Sequence, residues 1–340
     1  HSEVYLWVAS RIWEVPPDWR AIRTQPVKSK AGCVVYMEKI PFSPPDITQA
    51  EIDEVVDTLR SGWITTGPKS KQFEREIAAY CGTDTAVCLN SATASLELTL
   101  RVLGIGPGDE VIVPAYTYTA TASPVCHVGA TLVMVDSQPD CYEMDYAQLE
   151  KAITPRTKAI LICSPANPCG SVLDQASLDT VAELAIRHNL LVLSDEIYAD
   201  MTYDRPMPPS IASLPGMRER TIVLNGFSKY YAMTGWRIGY MLCPVKLMDP
   251  IMRLSFYNIA CPTTFIQSAG IAALEGDEGP SKAMLAEYRR RRDFMVEALN
   301  AMPGCRCRKP DGAFYIFVNI DGTGMDSDGF CRTMIDEAGV

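Results

Sequence analysis

Between residues 85 and 242 the chain alternates short apolar runs with stretches of helical periodicity. Seven runs read as strands: 85–89, 110–114, 131–135, 159–163, 190–194, 221–225 and 238–242. They are apolar nearly throughout, which suits a sheet covered on both faces rather than one with a wet side. Helices are expected over 47–59, where Ile52, Val55, Val56 and Leu59 share a face, then over 72–80, 96–103 and 177–188. Strands alternating with helices in this way predict an α/β fold with a parallel sheet. The segment from Ser61 to Pro68 holds Gly62, Gly67 and Pro68 and reads as a loop. Beyond Leu242 the chain becomes helical and charged, with Arg289 to Arg292 inside a helix expected over 283–301. It closes with a strand expected over Gly312 to Val318.

At 340 residues there is room for a large domain and a smaller one. We expect a leader over 1–36, which carries Trp7, Trp13 and Trp19 without clear periodicity. A large domain follows over 37–245, with Met37 as a plausible natural start, and then a C-terminal small domain over 246–340, incomplete at its end. The net charge of −10, without a long basic run, argues against nucleic acid or an anionic membrane as partner. Twelve cysteines show no C-x-x-C spacing and only three histidines accompany them, so no metal site is expected. Scattered thiols in a chain of this length favour a reducing, cytoplasmic setting.

The chemistry concentrates at the ends of the predicted strands. Asn225-Gly226-Phe227-Ser228-Lys229 places a lysine just past a buried strand, at the carboxyl edge where α/β sheets bind ligands. Desolvation there lowers an ammonium pKa and frees the amine to form an imine. Arg237, in Gly235-Trp236-Arg237-Ile238-Gly239, can return a guanidinium suited to a phosphate. Asp195, in Ser194-Asp195-Glu196-Ile197-Tyr198, can hold a heterocyclic nitrogen protonated, and Tyr198 can donate to a phenolic oxygen. Asn90-Ser91-Ala92-Thr93-Ala94-Ser95 opens a helix with small residues, so that Ala92 and Thr93 offer first-turn N–H groups to a phosphate. In Pro114-Ala115-Tyr116-Thr117-Tyr118 an aromatic ring, Tyr118 in preference to Tyr116, could lie on a flat cofactor.

Taken together, these strings resemble the fold-type I transferases that depend on pyridoxal 5′-phosphate. Two branches share the likeness. Residues 40–160 resemble DegT-type sugar aminotransferases, through Ile40-Pro41-Phe42-Ser43, Ser61-Gly62-Trp63-Ile64-Thr65-Thr66-Gly67-Pro68 and Ile153-Thr154-Pro155-Arg156-Thr157-Lys158. Residues 161–340 resemble class I/II aminotransferases of the aspartate type, through the aspartate, lysine and arginine strings and Pro310-Asp311-Gly312-Ala313-Phe314-Tyr315. Ser164-Pro165-Ala166-Asn167-Pro168-Cys169-Gly170 is similar to that family's N-P-x-N-P-T-G loop, departing at Ser164 and Cys169 but keeping Asn167. The change of likeness near Ile160 implies a join, natural or artificial.

The resemblance implies a mostly parallel seven-stranded sheet between helices with a smaller α+β domain, a homodimer, and transamination from an α-amino acid to a 2-oxo acid or keto-sugar. It implies that Lys229 carries the cofactor as an imine and then moves the α-proton. Asp195 would meet the ring nitrogen, Asn167 and Tyr198 the phenolic oxygen, and Tyr118 the ring face. Ala92, Thr93, Ser228 and Arg237 would meet the phosphate, although Gly226 stands where many of the family carry a phosphate-binding serine. The chain also ends before the region in which aspartate-type enzymes carry a carboxylate-clamping arginine. A lyase reaction on the same fold, or a product that binds cofactor without turnover, stays open at this point.

Overall fold

The structure, a computed structural model, describes residues 47–139, 141–206 and 208–338, with the backbone of three short strands nearer the start. Those strands are β1 (Glu3–Val4), β2 (Gln25–Lys28) and β3 (Val34–Met37). Trp7, Trp13, Trp19 and the string Ile40-Pro41-Phe42-Ser43 lie outside the described residues.

Two helices lead into the main sheet. α1 (Gln49–Ser61) starts from a capping box in which Thr48 and Glu51 bond each other's backbone, and it stops at Gly62, whose φ of 75° suits a residue without Cβ. α2 (Pro68–Cys81) has proline in its first turn, where the missing N–H costs nothing.

Seven strands then build the sheet: β4 (Val87–Leu89), β5 (Glu110–Pro114), β6 (Thr131–Val135), β7 (Thr157–Cys163), β8 (Leu191–Asp195), β9 (Thr221–Gly226) and β10 (Gly239–Leu242). Their spatial order is β4-β10-β9-β8-β7-β5-β6. β10 is antiparallel to both neighbours and the other strand pairs are parallel, so every strand but β10 ends at the same edge. All seven expected runs are strands, with ends displaced by at most a couple of residues.

The helices between them are α3 (Ala92–Val102), α4 (Thr119–His127), α5 (Tyr146–Ala152) and α6 (Gln175–Arg187). Period-two alternation divides the sheet's side chains between two cores. Val111, Val113, Ala159 and Leu161 face α3, where Leu96 and Leu100 are buried. Ile112, Ile160, Ile162 and Val192 face α6, where Leu178, Val181 and Leu184 are buried. β6 departs from the expectation of burial on both faces. It is an edge strand, and Met134 is 64% exposed.

After the sheet come α7 (Val245–Ile259), α8 (Thr264–Glu275), the long α9 (Gly279–Ala301), β11 (Arg306–Cys307), β12 (Val318–Asn319) and α10 (Ser327–Thr333). β1, β12 and β11 pair as a small antiparallel sheet. No helix among the described residues is long and apolar enough to cross a membrane. The strand expected over Gly312 to Val318 is corrected by the backbone: Val318 and Asn319 alone form a strand there, and Gly312 makes a single bridge to Thr202. Ala313 has a φ of 56°, and the chain there docks against the turn after β8 instead. Ala313 N–H donates to Met201 O over 2.8 Å and Tyr203 N–H to Asp311 O over 3.0 Å.

α8 and α2 meet at a point with no spare room. A Cβ on Gly270 would stand 2.5 Å from Cε2 and 2.6 Å from Cζ of the fully buried Phe73. Gly270→Ala is therefore expected to cost about 1–3 kcal/mol by overpacking, read as a lower denaturant midpoint at unchanged slope. An unaltered midpoint would contradict this account of the contact.

Candidate active site

β7, β8 and β9 are neighbours, and their carboxyl ends bring Asn167, Asp195 and Lys229 to one edge of the sheet. Register makes this unavoidable, because Asp195 stands opposite Cys163 on one side and Leu224 on the other. Asn167 follows just beyond Cys163 and Lys229 just beyond β9. Asp195 Oδ1 accepts from Ile197 N–H over 3.2 Å. Burial pushes its carboxyl up to about 6, while that hydrogen bond and the Lys229 charge pull the other way. Glu196, next in sequence, is engaged elsewhere: its Oε1 accepts from Ser194 Oγ at 2.8 Å and Ser210 Oγ at 2.6 Å.

Lys229 Nζ lies 5.2 Å from the Tyr198 ring centroid and 5.1 Å from that of Phe314. It has no hydrogen bond or ion pair among the described residues. Burial lowers the ammonium pKa, Asp195 opposes the shift and the Arg237 charge adds to it. The result is an amine walled by aromatic faces, with a larger neutral fraction than a surface lysine has.

Tyr198 is buried at the floor, its Oη 2.5 Å from Tyr315 Oη and its ring edge-on to Phe314. Phe314 and Tyr315 are the site residues that sequence reasoning missed. Their approach depends on the turn at Gly312-Ala313, where a Cβ on Gly312 would meet Pro165 Cγ at 2.7 Å. The signal that could have found them was glycine before an aromatic pair within the Pro310 to Tyr315 string.

At the other end of the site α3 begins. Ser91 Oγ caps Ala94 N–H over 3.1 Å, leaving the first-turn N–H groups of Ala92 and Thr93 without helical partners. Gly239 passes close by: a Cβ there would come within 3.7 Å of Ala92 N. That contact sets the start of α3 beside β10 and, just before it, Arg237. Arg237 is exposed with a φ of 55°, and its Nη1 donates to Thr234 O over 3.1 Å. Thr93 is exposed and Ser228 half-buried. Tyr118 is 39% exposed and lies within electrostatic reach of Tyr315. Tyr116 instead packs edge-on against Tyr142 and Phe317.

Four groups here are incompletely satisfied. The Asn167 Oδ1 atom is buried without a partner among the described residues, as is Asn90 Oδ1 at the end of β4. Asp195 carries a desolvated carboxyl with no ion pair among the described residues, and Lys229 a desolvated amine. Unsatisfied polar groups gathered at one edge call for a partner, which a ligand can supply. A protonated heterocycle with an aldehyde answers the carboxyl and the amine, and the Asn167 amide, turned so that its NH₂ faces the site, can donate to a phenolic oxygen, so the residues fit pyridoxal phosphate.

The family model for aminotransferase class I and II matches residues 34–340. The chain belongs to this family. The match spans Ile160, so the DegT-like strings in residues 40–160 lie within it. Among curated aminotransferases, the chain is 42% identical to the aromatic-amino-acid aminotransferase 2 of Thermococcus litoralis over 68% of its own length and 60% of the relative's. It is 35% identical to the aspartate aminotransferase of Musicola paradisiaca, over 80% and 68% respectively. Against several such relatives the chain spans less than two thirds of their length. Its fold matches the crystal structure of the aromatic aminotransferase from Pyrococcus horikoshii with a TM-score of 0.80 and 34% identity, covering 88% of this chain and 84% of that one.

Proposed function

We propose that this chain is a pyridoxal-phosphate-dependent aminotransferase, moving an amino group from an α-amino acid to a carbonyl acceptor. The observation that carries the reading is Lys229: a desolvated amine between Tyr198 and Phe314, unpaired among the described residues and within electrostatic reach of a half-buried aspartate on the next strand. Bound there, pyridoxal phosphate supplies an electron sink for the substrate's α-carbon. Asp195 holds the ring nitrogen's proton. Asn167 and Tyr198 bind the phenolic oxygen, and Tyr118 covers the ring. Ala92, Thr93, Ser228 and Arg237 anchor the phosphate. Lys229 Nζ takes the α-proton and returns it, which needs a neutral amine near physiological pH.

The acceptor is a 2-oxo acid in this reading, because the aspartate-type strings surround Lys229. The DegT-like strings of residues 40–160 keep a keto-sugar as the other acceptor class to be tested. We take residues 37–245 as the cofactor-binding unit and 246–340 as the small one. A cytoplasmic homodimer completes the proposal. Supporting the dimer, Ile52, Leu59, Trp63 and Ile64, on α1 and the loop after it, are each about half exposed. Supporting the compartment, the cysteines of the described residues are free.

The test is a visible spectrum of the protein with added pyridoxal phosphate, before and after glutamate. A visible band from lysine-bound cofactor is expected, and glutamate should abolish it until a suitable 2-oxo acid restores it. A band that ignores every amino donor would defeat the transaminase reading, and recovery with keto-sugar nucleotides alone would move the acceptor to the other class.

A further inference from the structure

The hydrogen bond between Tyr198 Oη and Tyr315 Oη has a consequence for the reacting end of the site. A neutral phenol has one proton to give and can also accept. Burial drives both hydroxyls upward, Tyr315 to about 12 and Tyr198 well above its ordinary value, so both are protonated at physiological pH. Only one proton can lie between the two oxygens, 2.5 Å apart, and the other must be directed elsewhere. Neither hydroxyl has another hydrogen-bond partner among the described residues. The groups facing the pair are Cys163 and Asp195 at the ends of β7 and β8, Lys229 beyond β9, and Tyr118 beyond β5.

Tyr315 is placed by backbone rather than by its own flexibility. The turn at Ala313 is pinned to Met201, and Phe314 stacks on Tyr288 of α9 at 5.7 Å and 27°. Tyr198 follows β8, so the bond ties the segment after α9 to the floor of the cofactor site. An anionic oxygen brought to Tyr198 is a stronger acceptor than a neutral phenol, and it takes the Tyr198 proton. The remaining proton, that of Tyr315, then fills the space between the two hydroxyls.

We propose that Tyr315 is a positioning residue, whose hydroxyl donates to Tyr198 Oη and thereby commits the Tyr198 proton to the phenolic oxygen of the bound cofactor. The proposal rests on the cofactor reading given above. Hydrogen bonds in such a chain polarise one another, so Tyr198 becomes a better donor than it would be alone. A stronger donor stabilises the more negative, deprotonated form of the lysine-bound cofactor and lowers the pH at which its visible band titrates.

The experiment is a pH titration of that band in the pyridoxal-phosphate-loaded protein. Tyr315→Phe should raise the midpoint by about half a pH unit, a fraction of one hydrogen bond's net worth. Tyr198→Phe should raise it further. Adding Tyr315→Phe to Tyr198→Phe should then change nothing more, because the route runs through Tyr198. An unchanged midpoint in Tyr315→Phe, or an equal shift with and without Tyr198, overturns the positioning role and leaves the cofactor reading intact. A wild-type protein with no visible band, or a band that survives Lys229→Ala, removes the cofactor reading and this proposal with it.

Discussion

Replacing Lys229 with alanine is expected to lower transamination by about 10⁴-fold or more, the upper end of what one positioned acid–base group contributes. The size follows from two roles meeting on one atom. In the proposed reading Nζ is both the amine that would carry the cofactor and the base that would relay the α-proton. The site offers no substitute base at that point. Asp195 is in reach electrostatically, but the proposed reading places it at the ring nitrogen. Tyr198 and Tyr315 hold protons too tightly, because burial raises both phenols. Two further measurements separate this loss from simple unfolding. Borohydride should lock cofactor onto the wild-type chain and not onto Lys229→Ala, and the variant without cofactor should still unfold in one cooperative thermal transition. Trapped cofactor in the variant would show that another amine carries it.

Most of this candidate site is legible in the sequence because it is built on strand ends. A strand buried on both faces advertises itself by a continuous apolar run, and the residue after the run has to sit at the sheet's edge. Asp195, Asn167 and Lys229 are located that way, and the neighbouring order of β7, β8 and β9 then brings them together. The same reasoning fails where conformation depends on one backbone angle. Ile316, Phe317 and Val318 look like a strand, yet the positive φ at Ala313 and the tight fit of Gly312 against Pro165 turn the preceding residues onto the β8 turn. Phe314 and Tyr315 thus became walls of the lysine site, which no periodicity could have indicated. α1 is the other instructive element. Its apolar residues share a face as expected, but Ile52 and Leu59 stay exposed, since periodicity reports that a face is apolar and not what covers it.

Asp195→Asn is expected to cost about 10³-fold in turnover, the scale for removing one preorganised electrostatic group, while stabilising the cofactor-free protein. Asparagine keeps the shape and can still accept from Ile197 N–H, so the change isolates charge. Without cofactor that charge is a burden, because Asp195 is only partly exposed and no cation among the described residues forms an ion pair with it, Lys229 acting only at longer range. Its carboxyl is held at about 6 in the folded chain against about 3.9 unfolded. Between those values the folded state binds more protons than the unfolded one, so stability falls as pH rises through the window. Above about 6 the penalty is complete, on the order of 2 kcal/mol after allowing for partial exposure. Below about 4 it vanishes. The variant without cofactor should therefore melt higher than wild type at pH 7.5 and no higher at pH 4. Saturating pyridoxal phosphate should reduce the gap at pH 7.5, since in the proposed reading a protonated ring would give the wild-type carboxylate a cation. A gap of the same size at both pH values would mean that asparagine packs better for some other reason. Full activity in the variant would remove Asp195 from the ring nitrogen altogether.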